Sequence, residues 1–447
     1  MVAENQKAKK SRSLLSADER KSFGDAATCS LMVGLGETYL PAFGLTFGLG
    51  QIGAGLLASL PQLTGGVLQL LAPRFAHRMG SYKSWVLTCA GAQTAVFVLL
   101  ALAASRDYVP SYLLFTMAAI YWGAGFSAAP TWNNWIEKVI PAGRLTAFLA
   151  TRSRIIQVAA FLAFLAGGLW LQEAQKSGDI RVGYQALFLA AALSRLVSMV
   201  LLARQREEKG PRSPKGVRAK VREAMRTFGR RDESRFLLYL LGTQVMVQIS
   251  GPYFTPFMLG YLKFSYSTYA VLISANYAAR IIAYPWVSRI VHRYGTDKSL
   301  RLGGFLIAAS PLTWSLTTDV FLLGLGQVFA GFAWALYELA TTLIIFEKVP
   351  SEKRTSILSC YNFLNALAIV GGALIGGLVL NVASPDLSYK LLFILSGAGR
   401  LSTLVFLTVI GSKLKKAKKH SFSPPLTLSE APPASLTPEP IPRAQAG

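Results

Sequence analysis

Apolar residues gather in twelve long stretches, at residues 25–48, 51–72, 84–104, 111–136, 146–171, 183–203, 236–261, 266–288, 299–318, 320–346, 355–382 and 388–410. Each holds the ~20 residues that a helix needs to cross the hydrocarbon core of a bilayer. None shows the two-residue alternation of a strand, and the runs are too long for one. Pro and Gly interrupt several of them, which helices in lipid tolerate better than soluble ones. The pattern predicts an all-α integral membrane protein of twelve transmembrane helices. It divides the chain into a basic N-terminus at 1–24, six helices at 25–203, a basic linker at 204–235, six more helices at 236–411, and a basic, then Pro-rich tail at 412–447.

Composition agrees. Hydrophobic residues make up 52% and charged residues 15% of the chain, with a mean hydropathy of +0.40, whereas soluble proteins carry about 25% charged residues. That excludes a large soluble domain, a disordered chain and a disulfide-rich secreted module. Of the 46 Lys and Arg, 38 lie in one alternating set of segments that includes both termini and the linker. Only Arg106, Lys176, Arg181, Lys263 and Lys390 lie in the other set. The positive-inside rule then places both termini in the cytoplasm. The net charge of +24 is explained by orientation and by attraction to anionic lipid headgroups, with no need for nucleic acid.

Within the linker, Val217, Val221, Met225 and Phe228 recur at helical spacing among basic residues, which suits a helix lying on the membrane surface. The polar, basic start does not read as a cleaved signal peptide. Cys29, Cys89 and Cys360 all fall in apolar stretches without metal-ligand spacing, and read as small core residues. Seven prolines between 421 and 447 predict a disordered tail.

The two halves repeat each other. His77-Arg78-Met79-Gly80-Ser81-Tyr82-Lys83 recurs as His292-Arg293-Tyr294-Gly295-Thr296-Asp297-Lys298, displaced by 215 residues. Glu137-Lys138-Val139 with Pro141 and Arg144 is echoed by Glu347-Lys348-Val349 with Pro350 and Arg354. Leu187-Phe188 precedes Arg195 as Leu392-Phe393 precedes Arg400, and Pro41 matches Pro256. Four matches in one order indicate a six-plus-six duplication.

Twelve spans, a basic central linker and a Gly-centred basic turn after spans 2 and 8 resemble the major facilitator superfamily (MFS) over about residues 25–410. Pro130-Thr131-Trp132-Asn133-Asn134-Trp135 with Pro141 and Arg144, and Gln69-Leu70-Leu71-Ala72-Pro73-Arg74 leading into His77, resemble a bacterial group of its transporters with unassigned substrate. Two departures stand out. Pro73 and His77 occupy the Gly and Asp positions of the family's loop motif, so its acidic partner is missing. Span 5 has only Gly167-Gly168 of the Gly-rich signature of drug/proton antiporters. The resemblance implies two pseudo-symmetric six-helix bundles, a cavity lined by spans 1, 4, 7 and 10, peripheral spans 6 and 12, and a monomer.

An ionised side chain at mid-bilayer costs about 2.5–3.5 kcal/mol, so each needs a reason. Five lie well inside spans: Glu37, Arg195, Arg280, Glu338 and Arg400. Arg195 and Arg400 are equivalent by the repeat and read as structural ties to carbonyls or neighbouring helices. Arg280 has Gly65 as its counterpart and shares a face with Tyr269, Asn276 and Tyr284. It is either an anchor for an anionic group of a solute or an ion-pair partner of Glu37 or Glu338. Glu37, whose counterpart is Pro252, is either a proton carrier or the permanent partner of Arg280. Gln327, Gly331, Trp334, Glu338 and Thr341 form one face of span 10, and Gln244, Gln248, Gly251 and Thr255 one face of span 7. These serve either solute binding or helix packing. Arg78, Gly80, Arg293, Gly295, Glu137, Glu347, Arg144 and Arg354 sit at cytoplasmic ends, as a gating network of ion pairs or, for Arg144 and Arg354, as topology charges.

The expected function is secondary active transport of a small anionic or zwitterionic solute across the cytoplasmic (inner) membrane by alternating access. No cofactor is expected beyond a proton gradient at Glu37. No catalytic arrangement or metal spacing supports an enzyme. A lipid-handling protein or sensor on the same fold, and a drug-efflux antiporter, are the alternatives.

Overall fold

The computed structural model describes residues 17–207, 231–348, 351–382 and 384–408. Among the described residues the chain is helical, with no strand. Twelve rods follow the twelve apolar stretches: α1 (17–46), α2 (Gly50–Arg78), α3 (Tyr82–Ala104), α4 (Ser111–Val139), α5 (Ala142–Lys176), α6 (Ile180–Ala203), α7 (231–261), α8 (Tyr266–Tyr294), α9 (296–316), α10 (Val320–Lys348), α11 (Ser351–Leu380) and α12 (385–408). The expected surface helix around 217–228, the tail from 412 and the side chains of Glu347 and Arg354 lie outside the described residues. Eight rods are long and apolar enough to cross a membrane by themselves; α1, α7, α8 and α9 are not among them. These four are broken, kinked or polar on one face, and neighbouring helices shield what lipid would reject.

Two boundaries differ from the sequence expectation. Helix α1 starts at Ala17, inside the segment expected to be a basic tail, with Glu19 and Asp25 both 2% exposed. Glu19 meets Arg144 at 2.9 Å and Asp25 meets Arg152 at 2.8 Å, so paired charges carry the helix past its apolar stretch. Helix α5 likewise begins ahead of its apolar stretch, directly after Pro141, with Arg144 as the partner of Glu19.

The helix pairs obey the repeat. In the first half α1 packs on α5 and α6, α2 on α4, and α3 on α4 and α6. In the second, α7 packs on α11 and α12, α8 on α10, and α9 on α10 and α12. The halves meet through α2 with α11 and α5 with α8, two pairs that the same symmetry interchanges. The repeated turns are alike in detail: Gly80 and Gly295 take φ of +66° and +82°, a region that side chains disfavour.

Both halves also break their first helix. Helix α1 tightens to a 3₁₀ turn at Glu37–Tyr39 and α7 at Gly251–Tyr253, within one residue of the 215-residue offset. Each break ends in a tyrosine whose hydroxyl donates to the backbone of the paired helix, Tyr39 to Phe164 on α5 and Tyr253 to Ala373 on α11. Glycine pairs make room for these rings. A Cβ on Gly167 would lie 2.8 Å from the Tyr39 ring, and one on Gly376 2.6 Å from the Tyr253 ring.

Candidate functional site

Between the halves lies a cavity of about 540 Å³. Its walls come from α1, α2, α4 and α5 on one side and α7, α8, α9, α10 and α12 on the other. Both helix breaks face it: Glu37 and Thr38 line it from α1, and Gly251 and Pro252 from α7. Irregular backbone at membrane depth survives only against protein or a polar cavity. Thr38 compensates for part of the break by donating its hydroxyl to the Gly34 carbonyl at 2.8 Å.

Glu37 accepts a hydrogen bond from the Tyr121 hydroxyl of α4. Among the described residues it makes no ion pair, so the expected alternative of a permanent bridge to Arg280 is not formed here. Arg280 instead reaches across to α10, where its Nη1 lies 2.9 Å from Glu338 Oε1. One and a bit turns earlier on α8, Asn276 donates from Nδ2 to the Gln327 carbonyl and side chain at 3.2 and 3.0 Å. Tyr277 and Trp334 each place a ring 5.9 Å from the Arg280 guanidinium. The predicted polar faces of α8 and α10 therefore meet each other as well as the cavity. Gln248, Asn276, Arg280, Gln327 and Trp334 line it; Gln244 and Glu338 are not among its lining residues, Glu338 acting through Arg280.

Arg195 and Arg400 are both buried, at 5% and 3% exposure. Arg195 donates to Gln93 Oε1 at 2.9 Å and to Ser198 Oγ at 2.6 Å, and the Ser198 hydroxyl donates in turn to Asp25 at 2.7 Å. Arg400 donates to the Ile307 carbonyl at 2.9 Å, to Ser310 Oγ at 3.3 Å and to Ser250 Oγ at 3.2 Å. The two differ in one respect that the resemblance did not imply. Arg195 is enclosed in its bundle, whereas Arg400, on a helix expected to be peripheral, borders the cavity.

At the end of the molecule away from the termini, the halves are stitched together. The Tyr266 hydroxyl lies 3.1 Å from Thr46 Oγ1 and 2.9 Å from the Tyr184 hydroxyl. Tyr389 donates to Gln51 Oε1 at 2.9 Å, and the Ser267 amide donates to Gln172 at 3.4 Å. Tyr269 of α8 packs edge-on against Tyr39 and Phe164 of the first half. Among the described residues, every side-chain hydrogen bond between the halves lies at this end.

The other end holds the expected gating residues. Arg78, Glu137 and Arg293 are exposed, and none forms an ion pair among the described residues. Arg144 pairs with Glu19 inside its own half. Among the described residues, then, the expected ion pairs of Arg78, Glu137 and Arg293 are not formed, while Glu347 and Arg354 lie outside the described side chains.

Sequence reading missed Tyr121, Tyr266, Gln62, Trp122 and Asp25. The first four are uncharged, so their burial raised no alarm, and Asp25 stood at the edge of an apolar stretch. Trp122 and Gln62 complete the cavity wall from α4 and α2.

A family model described as Major Facilitator Superfamily matches residues 26–373. Among solved structures, the nucleoside transporter NupG is similar at a TM-score of 0.65 and 14% identity, over 90% of this chain and 100% of that one. The POT family transporter PepTSo has a TM-score of 0.72 at 10% identity, over 90% and 99% of the two chains. The xylose transporter XylE from E. coli has a TM-score of 0.64 at 11% identity, over 88% and 98%. These identities show a shared fold alone. No curated protein sequence matches the chain.

Proposed function

The chain belongs to the Major Facilitator Superfamily and is a multi-pass membrane transporter, and from that premise we propose that it moves a small anionic or zwitterionic solute by alternating access. The observation that carries this reading is the cavity of about 540 Å³ between the halves, with all described inter-half hydrogen bonds at one end of it. The Lys and Arg distribution supports termini in the cytoplasm and a place in the inner membrane, which makes the stitched end external. On this reading the cavity opens to the cytoplasm, as an inward-facing state would. The solute enters between the breaks of α1 and α7 and contacts Gln248, Asn276, Arg280, Gln327 and Trp334.

Glu37 is the proposed proton carrier. It is the one carboxylate lining the cavity, it has no cation as an ion-pair partner among the described residues, and the Tyr121 hydroxyl holds it in place. The protein works as a monomer, with anionic lipids at its basic face.

Reconstitution into liposomes tests this. Uptake of labelled solutes should appear for some member of an anion and zwitterion panel, respond to an imposed proton gradient in wild type, and lose that response in Glu37→Gln. Joining Thr46→Cys to Tyr266→Cys by a disulfide should stop transport reversibly. Transport that continues through the crosslinked protein would overturn alternating access through this cavity.

A further inference from the structure

Among the described residues three charged side chains line the cavity, Glu37, Arg280 and Arg400, and two of them leave charge uncompensated. Arg280 and Glu338 neutralise each other at 2.9 Å. Glu37, on the first half, receives only the Tyr121 hydroxyl. Arg400, on the second half, bonds three neutral acceptors, and its Nε–H has no hydrogen-bond partner among the described residues. No carboxylate pairs with it there. An uncompensated buried cation is costly, and a guanidinium N–H left without a partner can donate a charge-assisted hydrogen bond to a carboxylate.

The repeat shows that the fold does not demand this arrangement. In the first half the equivalent Arg195 has a carboxylate, Asp25, at one remove through Ser198. The 215-residue offset puts Leu240 where Asp25 would be. The second half thus keeps the arginine, moves it to the cavity wall and omits its acid.

We propose that the solute supplies both missing charges: a zwitterion whose carboxylate binds Arg400 on the second half and whose ammonium binds Glu37 on the first. This rests on the transporter reading. A simple cation leaves Arg400 uncompensated and a simple anion leaves Glu37 dependent on a proton, whereas a molecule bearing both charges settles the two together without one. Because the two anchors stand on opposite halves, the solute also bridges the pair of bundles whose relative motion carries it. Trp122 and Trp334 offer flat apolar walls to the body of the molecule between its charged ends.

The test is binding to the purified full chain, using probes that differ by one charge. L-phenylalanine, 3-phenylpropionate and 2-phenylethylamine form one set; γ-aminobutyrate, butyrate and butylamine form a second with wider charge separation. Thermal shift and calorimetry at up to ~10 mM should show at least one zwitterion binding tenfold or more tightly than both of its single-charge analogues. Arg400→Gln should abolish the preference over the amine, and Arg400→Lys should restore part of it, which a purely structural arginine would not do. Glu37→Gln, in the other half, should abolish the preference over the carboxylate and reports even if Arg400→Gln fails to fold. Equal binding of a single-charge analogue by wild type, or no binding by any member of either set, overturns the proposal. Liposome flux separates the two readings. A zwitterion that binds without being transported defeats the transporter reading alone, while transport of an uncharged solute without zwitterion binding defeats this proposal alone.

Discussion

Arg195 and Arg400 stand at the same point of the two repeated halves and have opposite surroundings. In the first half Gln93, Ser198, Asp25 and Arg152 form a closed chain of charge-assisted bonds around Arg195. In the second, Arg400 holds Ile307, Ser310 and Ser250 and touches the cavity. The mirror-image difference occurs at the helix breaks, where Glu37 in the first half faces Pro252 in the second. Duplication fixed where each helix packs, and the copies then diverged at the few positions that meet the cavity. One half ties its arginines to an internal carboxylate, while the other leaves its arginine without one among the described residues.

Removing the acid from the first half should have the largest effect. Asp25→Ala strands Arg152 and Arg195 without a counter-charge, and losing one partner of a buried pair costs about 3–5 kcal/mol. Thermal unfolding in detergent should show it. Asp25→Leu combined with Arg152→Met and Arg195→Met should recover much of the loss, since replacing every charged partner with apolar groups is near neutral. If Asp25→Ala is as stable as wild type, the two arginines do not differ in the way described.

The tyrosine and glycine pairing common to both halves comes next. Gly376→Ala places a methyl 2.1 Å from the Ile249 carbonyl and 2.6 Å from the Tyr253 ring. Overpacking of this kind costs about 1–3 kcal/mol, and Gly167→Ala against the Tyr39 ring at 2.8 Å should cost less. Both are read by the same unfolding experiment.

Tyr266→Phe probes the seam between the halves. It removes the hydroxyl bonded to Thr46 and Tyr184, and a typical hydrogen bond contributes about 1 kcal/mol. The equilibrium should shift roughly fivefold or more toward the state open at the stitched end, measured as faster labelling of a cysteine at Gln51. Unchanged labelling would remove Tyr266 from the closure.

The smallest effect belongs to Asp386, in the first turn of α12, where the hydrogen bond and charge of Lys390 hold its carboxyl below the ordinary value of 3.8. A lowered value means the pair helps the folded state above about pH 4 and loses that help as pH falls through the lowered value. Both side chains are exposed, so Asp386→Asn should leave stability at pH 7 unchanged within error, with a difference only in acid.

Much of this was legible without coordinates. Twelve spans, the duplication and the polar faces of α8 and α10 follow from hydropathy and spacing, because lipid penalises every exposed polar backbone group and so forces long apolar helices. Glu37, Arg280 and Arg400 were visible as charges inside apolar runs. Their partners were not. Arg280 had two acids within plausible reach, and only the packing of α8 on α10 selects Glu338. Tyr121 and Tyr266 carry no charge, so nothing in an apolar run distinguishes them from core residues.

By itself, then, the sequence determined that this chain is a duplicated twelve-helix membrane protein with its basic segments on one side. Those properties come from the transfer of each segment into lipid, an energy that is a sum over local residues. Tertiary structure alone decided which charges are neutralised inside the protein and which are left facing the cavity. Ion pairing falls off within a few ångströms, and contacts at that range, between residues 58 apart as in Arg280–Glu338 or 173 apart as in Ser198–Asp25, exist only once the helices have packed.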